Sequence, residues 1–327
     1  MHAITVRRHG GPEVLEHAEV PDPSAGSGEV LVAVAAAGVN FIDIYFREGR
    51  YPRPLPFGLG GEGAGTVAAL GPGVTDLAVG DLVAWADGNT GDLGSYASLA
   101  VLRADRVVRV PAGVSAETAA AAMLQGMTAH YLTTSTWPVR PGETALVHAA
   151  AGGMGLLLDQ MVKARGGRVI GTVSTAAKEA AARAAGADEV IRYTEVEDLA
   201  AEVRALTGGR GVDVVYDGVG ADTFEASLAS LRPRGLLALF GAASGPVPPF
   251  DPQRLNAAGS LFLTRPTLVH HIATREDLLW RAGEVLGAIA DGSLTVTVGG
   301  RYPLAETAAA HRDLAARATS GKLLLIP

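Results

Sequence analysis

Through its first 110 residues the chain repeats one pattern: short apolar runs, many alternating with polar positions, cut by Gly, Pro and Asp. The runs "HAITVRR", "EVLVAVAAAGV", "GEGAGTVAAL", "DLVAWA" and "GSYASLAV" have the lengths and bounding residues of β-strands, and helical periodicity is nearly absent among them. At Ser115 the pattern changes, because "SAETAAAAMLQGMTAHYLTTS" puts a serine cap before an alanine-rich run of helical length. Beyond Pro141 strands and helices alternate. "TALVHAA", "RVIGTVS", "EVIRY", "VDVVYDGV" and "GLLALFG" read as strands, with helices after the glycines at 152–155, in "AAKEAAARAAG", in "EDLAAEVRALTGG" and in "DTFEASLASL". That alternation predicts parallel strands joined by crossover helices, the doubly wound sheet of an α/β protein. After "GSLFLTRP" the pattern predicts a helix near 275–291, a strand-turn-strand at "LTVTVGGRYPL", a helix near 305–319 and a closing strand in "KLLLIP". These last elements form neither a repeat nor a tail and are expected to return to the first β-rich region. The expected division is 1–124 with 266–327 as one domain and 125–265 as the other.

A chain of 327 residues, 48% hydrophobic and 19% charged, has the size and apolar content for two cores. No run reaches about 18 uninterrupted apolar residues. The start "MHAITVRRHGG" lacks the ordered charged, apolar and cleavage regions of a secretory signal, so a soluble cytoplasmic protein without membrane contact is expected. Cysteine is absent, which removes disulfides, thiolate nucleophiles and cysteine-held metals together. A net charge of −7 counts against a broad nucleic-acid surface.

Candidate chemistry begins at 146–164, "LVHAAAGGMGLLLDQMVKA". Ala150, Gly152 and Gly155 occupy the three small-residue positions of a dinucleotide fingerprint whose first glycine is alanine here, with Gly153 and Met154 between the last two. Alone, such spacing is common in plain turns. Its place after an apolar strand, at the mouth of a helix and at the head of the alternating array points to dinucleotide binding. Small residues let backbone approach a pyrophosphate, and the helix N-terminus offers free N–H groups and partial positive charge. NAD-binding versions carry an acidic residue about 20 positions on, which holds the ribose hydroxyls. Here that neighbourhood holds Ser174, then Lys178, with Tyr193 at the end of the next strand. An ammonium and two hydroxyls suit a 2′-phosphate that a carboxylate would repel, so NADPH is the expected cofactor. The plain alternative makes Lys178 a solvated helix residue, although the chain's only lysines are Lys163, Lys178 and Lys322.

With that stretch, and with "AAGVNFIDIYFREGRYP", "GLGGEGAGTVAALGPGV", "LQGMTAHYL", "VVYDGVG" and "TRPTL", the sequence resembles the quinone oxidoreductase (zeta-crystallin-like) branch of the medium-chain dehydrogenase/reductase superfamily over essentially its whole length. The resemblance implies a GroES-like β domain formed by both chain ends and an inserted Rossmann domain. It also implies that Asn40 stands where zinc-dependent relatives carry a catalytic cysteine, and Gly61 where they carry a histidine. Zinc needs three protein ligands in such sites, so a metal-free site is expected. The eight histidines show no ligand spacing, and the adjacent His270 and His271 are expected at the surface.

Without a metal to polarise an alcohol, an acceptor already polarised by conjugation suits the site better. The resemblance accordingly implies an NADPH-dependent, zinc-independent reductase of quinones or similar conjugated carbonyls, assembled as a homodimer. It places Asn40, Asp43 and Tyr45 against the nicotinamide or the acceptor, their plain alternatives being a turn cap, a helix cap and core packing. Thr128 is implied near the cofactor, or as a helix cap, and Tyr51 and Tyr131 as an aromatic acceptor pocket, or as core. Phe240, Gly241 and Arg265 follow strands whose C-terminal ends border the ligand crevice of such a sheet, with Arg265 alternatively at a subunit interface. Two other functions compete: an alkenal or enone double-bond reductase using the same machinery, and a weakly catalytic NADPH-binding structural or RNA-binding protein of the crystallin kind. The acidic balance and the missing aromatic–basic stripe count against the latter.

Overall fold

The computed structural model describes residues 1–90, 93–317 and 319–327. Its first elements are β1 (His2–Val6), β2 (Leu15–Glu19), β3 (Glu29–Val39), α1 (Phe41–Arg47), β4 (Phe57–Gly58), β5 (Glu62–Leu70), β6 (Leu82–Ala86), β7 (Leu99–Arg103), β8 (Val108–Arg109) and α2 (Ala116–Tyr131). The alternating array follows as β9 (Thr144–Val147), α3 (Gly153–Ala164), β10 (Arg168–Val173), α4 (Ala176–Ala184), β11 (Glu189–Arg192), α5 (Leu199–Leu206), β12 (Val212–Asp217), α6 (Phe224–Ser230), β13 (Leu231–Leu239), α7 (Gln253–Ala257) and β14 (Phe262–Thr264). The chain closes with α8 (Leu268–His271), α9 (Arg275–Ala290), β15 (Val298–Pro303), α10 (Thr307–Ala315) and β16 (Lys322–Ile326). Two compact units result, Met1–Met127 with Ile272–Pro327, and Thr128–His271. Among the described residues no helix is long and apolar enough to cross a membrane.

In the first unit β3 is the hub, pairing antiparallel with β5, β7 and β16. Its alternation sends Val30, Val32 and Val34 inward to meet Val6, Trp85, Leu102 and Leu323 in one core. The closing strand therefore has a specific berth: Leu323 registers with Val39, which brings Lys322 beside the start of α1.

Three sequence expectations change here. The seven-residue helix α1 lies inside the β-rich region. "LTVTVGGRYPL" holds a single strand, β15, rather than two strands and a turn, because Gly299 and Gly300 serve as a bulge: a Cβ at Gly299 would stand 1.8 Å from the Ser320 carbonyl oxygen. The helix expected near 305–319 is a 3-10 turn at Leu304–Glu306 followed by α10, with residue 318 outside the described residues.

The second unit is built on a six-stranded, all-parallel sheet in the order β11-β10-β9-β12-β13-β14. Every residue of β9 and β12 is buried, as central strands covered on both faces require. The strand order reverses between β9 and β12, and the crevice at such a switch point opens beyond the C-terminal strand ends. This is the α/β Rossmann arrangement expected from the alternating pattern.

Candidate active site

The glycine stretch leaves β9 as a tight turn into α3. Gly152 caps the helix with extended backbone (φ −77°, ψ 170°), and its N–H donates to the Ala149 carbonyl at 2.8 Å. No side chain caps α3, so its first N–H groups, from Gly153 and Met154 onward, stay available to an anion. Glycine is required at Gly155, where a Cβ would stand 2.4 Å from the Ala149 oxygen and 2.5 Å from Ala150 Cα. Ala150, in the first-glycine place, is fully buried and fits because residue 171 on β10 is glycine: a Cβ there would meet the Ala150 methyl at 2.7 Å. The left-handed residue of the turn is Ala149 (φ 51°), a position the fingerprint does not mark.

Strand register gathers the three residues expected at the ribose end. Val173 pairs with Arg192, so Ser174 and Tyr193 follow neighbouring strand ends, and the Tyr193 N–H donates to the Val173 carbonyl at 3.0 Å. Thr175 caps α4 and accepts from the Lys178 N–H, which puts Lys178 in the first turn of that helix, beside the same edge. Tyr193 is 44% exposed, accessible to a ligand. Glu179, in the first turn of the same helix, pairs with Arg183 and Arg192.

The loops after β12 and β13 are pressed together. Phe240 and Gly241 donate to the Asp217 carbonyl at 2.9 and 3.3 Å, and a Cβ at Gly241 would stand 2.4 Å from the Gly218 oxygen. Arg265 lies just past β14 and is exposed. Thr128 is buried, and Tyr131 is 1% exposed, its ring stacked on His271 at 4.0 Å. The surface placement expected for both histidines thus holds for His270 alone, since His271 is half-buried against that ring.

The first unit carries a buried polar cluster at the mouth of α1. Lys322 Nζ donates to Asn40 Oδ1 at 2.6 Å and to Glu62 Oε2 at 2.5 Å. Asn40 Nδ2 donates to the same Glu62 oxygen at 2.9 Å and to the Gly38 carbonyl at 3.3 Å, while Glu62 Oε1 accepts from the Leu124 N–H at 2.6 Å. Asp43 Oδ2 accepts from the Asn40 N–H at 2.9 Å and from the Tyr96 hydroxyl at 2.8 Å. Burial pushes the Asp43 carboxyl up to about 6, against the lowering pull of Tyr96, the Asn40 N–H and Lys322, and the same burial with the Asp43 charge raises the Tyr96 phenol well above its ordinary value. Asn40 is 4% exposed and both ends of its amide are occupied; Asp43 is 2% exposed. Their geometry is that of residues that hold the backbone at the entry of α1.

Tyr45, on α1, is 6% exposed and meets the Tyr51 ring edge-on at 5.5 Å, with Arg50 over its face. Tyr51 is 36% exposed and also touches Phe46. Glu62, Lys322 and Tyr96 escaped the sequence reading. The signal for Lys322 was present, since it heads an otherwise apolar strand in a chain with so few lysines.

Zinc does not fit this donor set. Asn40 offers an amide already committed, Gly61 offers no side chain, and the Lys322 ammonium occupies the place between Asn40 and Glu62 where a second positive charge would be repelled.

Residues 26–112 match the alcohol dehydrogenase GroES-like domain family, and residues 153–279 the family described as zinc-binding dehydrogenase. The quinone oxidoreductase of Pseudomonas aeruginosa is 49% identical, over 99% of this chain and 99% of its own. The 2-haloacrylate reductase of a Burkholderia species is 40% identical, over 99% of this chain and 98% of its own. A mycobacterial protein solved in complex with NADPH matches at a TM-score of 0.96 and 55% identity, across 100% of both chains. Fold and sequence together define a medium-chain dehydrogenase/reductase. Within that superfamily the chain belongs to the quinone oxidoreductase branch.

Proposed function

We propose that this chain is an NADPH-dependent, zinc-independent quinone oxidoreductase. The observation that carries the reading is the Asn40–Lys322–Glu62 cluster, which fills with a buried ammonium the place a catalytic metal would need. Gly153, Met154 and Gly155 hold the pyrophosphate through backbone N–H groups, and Ala150 and Gly152 allow its close approach. Ser174, Lys178 and Tyr193 hold the 2′-phosphate, and Thr128, Phe240, Gly241 and Arg265 complete the cofactor's surroundings. When bound, NADPH supplies a hydride to an acceptor already polarised by conjugation.

The Tyr45 phenol donates to the acceptor oxygen as negative charge builds there, with Tyr51 packed against it. Asn40 and Asp43 act one step back, fixing the N-terminus of the helix that carries Tyr45. Tyr131 lines the acceptor side with its ring held flat by His271. Two copies pair as a homodimer. Support for that comes from β14, an edge strand of the parallel sheet, where Phe262 is 56% exposed.

The likeness to a 2-haloacrylate reductase favours a second reading, in which the acceptor is an activated alkene reduced at its β-carbon. NADPH oxidation against a panel of quinones and activated alkenes separates the two. Higher kcat/KM for quinones supports the main reading, higher values for alkenes the second, and no oxidation with either class overturns both. An RNA titration of the same protein is expected to show no binding.

A further inference from the structure

Beneath the glycine stretch runs a buried hydrogen-bonded chain. His148 Nδ1 lies 3.1 Å from Thr172 Oγ1 and its Nε2 2.9 Å from Ser227 Oγ, and Ser227 Oγ donates to Asp217 Oδ2 at 2.7 Å. Asp217 also accepts from the Thr223 hydroxyl and from the N–H groups of Val219 and Gly220, at 2.8 and 3.0 Å. His148, Thr172, Asp217 and Ser227 are all buried.

Valence sets the direction of each bond. The carboxylate can only accept, so the Ser227 hydroxyl donates its single O–H to it; the Ser227 oxygen then accepts from His148 Nε2–H, and the bare Nδ1 accepts from Thr172. Burial holds the imidazole below its ordinary pKa, against the pull of Asp217, so the ring stays neutral in this pattern. The order of links differs from that of a nucleophilic triad, where the acid orients the histidine and the histidine takes the serine proton. Here the serine O–H is donated to Asp217 rather than to the histidine and Ser227 is 0% exposed, which leaves placement as the network's task.

What it places is legible from the backbone. His148 directly precedes the left-handed Ala149 and the glycines, and its N–H donates to the Tyr216 carbonyl at 3.1 Å. Asp217 moulds the loop at 218–220 through its side chain and holds Phe240 and Gly241 through its carbonyl. One chain of bonds thus ties together the C-terminal ends of β10, β9 and β12 and the helix α6.

We propose that His148 is a positioning residue for dinucleotide binding: through Thr172 on one side and Ser227 and Asp217 on the other, it locks the glycine loop to the loop after β12, so that a pyrophosphate meets a preformed cradle. The inference rests on the NADPH reading above. A preformed loop lowers the ordering cost of binding for the group it touches and leaves other parts of the ligand indifferent.

The test is a titration of the full-length wild type and of Ser227→Ala and Thr172→Val with three probes: NADPH, 2′-phospho-ADP-ribose, and 2′-AMP, which lacks the pyrophosphate. Both variants should raise the Kd of the two pyrophosphate probes roughly tenfold and leave 2′-AMP within about twofold, with KM for NADPH rising while kcat changes little. Thr172→Val keeps the side-chain shape and serves if Ser227→Ala fails to fold. Equal weakening of all three probes, or none, in a folded variant overturns the inference while the NADPH reading stands. A wild type that binds none of the probes overturns both.

Discussion

Lys322 and Glu62, 260 residues apart in the chain, form an ion pair whose side chains are 1% and 0% exposed. The pair exists because β16 registers against β3, and it is tolerable because Asn40 and the Leu124 N–H satisfy the remaining polar atoms. Lys322→Met leaves a buried carboxylate without its counter-charge and should cost about 3–5 kcal/mol in urea unfolding. The double variant Lys322→Met/Glu62→Leu should recover most of that loss. A double variant as unstable as the single one would show that the hydrogen bonds Glu62 accepts from Asn40 and Leu124, rather than the charge pairing, carry the loss.

The proposed preference for NADPH assigns the 2′-phosphate to Lys178. Its replacement by Ala removes a charge-assisted contact of roughly 1.5–3 kcal/mol, which weakens NADPH about ten- to a hundredfold and leaves NADH nearly unchanged. Fluorescence titration with both cofactors reads this directly, and equal weakening would assign Lys178 to the fold.

Asp159, on α3, is 0% exposed, and neither carboxyl oxygen has a hydrogen-bond partner among the described residues. Burial pushes this acid up to about 9. With the folded value above the unfolded one, the folded state binds the proton more tightly. The contribution of this group to stability is therefore full below about pH 4 and is lost steadily as pH rises to about 9, an upper bound of roughly 4 kcal/mol by pH 7. Asp159→Asn should flatten this slope, matching the wild type near pH 4 and exceeding it at pH 8. Parallel stability curves for the two proteins across that range would contradict the assignment.

Tyr45→Phe should lower turnover by roughly ten- to a thousandfold, the range for losing one oriented donor. The loss should be larger for activated alkenes, where a localised enolate needs stabilising more than a quinol anion does. A folded Tyr45→Phe protein that binds NADPH yet is dead toward quinones would mean that an obligatory proton donor acts there.

Legibility in the sequence followed the range of the interaction. Parallel strands announced themselves as apolar runs, since burial on both faces leaves no polar alternation, and the glycine spacing led to the turn before α3. Ala149 was invisible, because an alanine in left-handed backbone leaves no trace in composition. The glycines at 299 and 300 suggest a turn because glycine serves turns and bulges alike, and only the Ser320 backbone decides between them. The Lys322–Glu62 and His148–Ser227 links join residues 260 and 79 positions apart in the chain. Lys322, Glu62, His148 and Asp217 stand as single polar residues at the ends of apolar strands, whereas Ser227 lies inside α6, and naming the partners requires the register.

The central claim is a metal-free, NADPH-driven reduction of quinones, and the most direct test is steady-state quinone reduction by the purified protein in excess chelator, with NADPH and NADH compared. The account predicts full activity under chelation and a kcat/KM for NADPH at least about tenfold above that for NADH. Activity that vanishes with the chelator and returns with zinc, or equal use of the two cofactors, would contradict it.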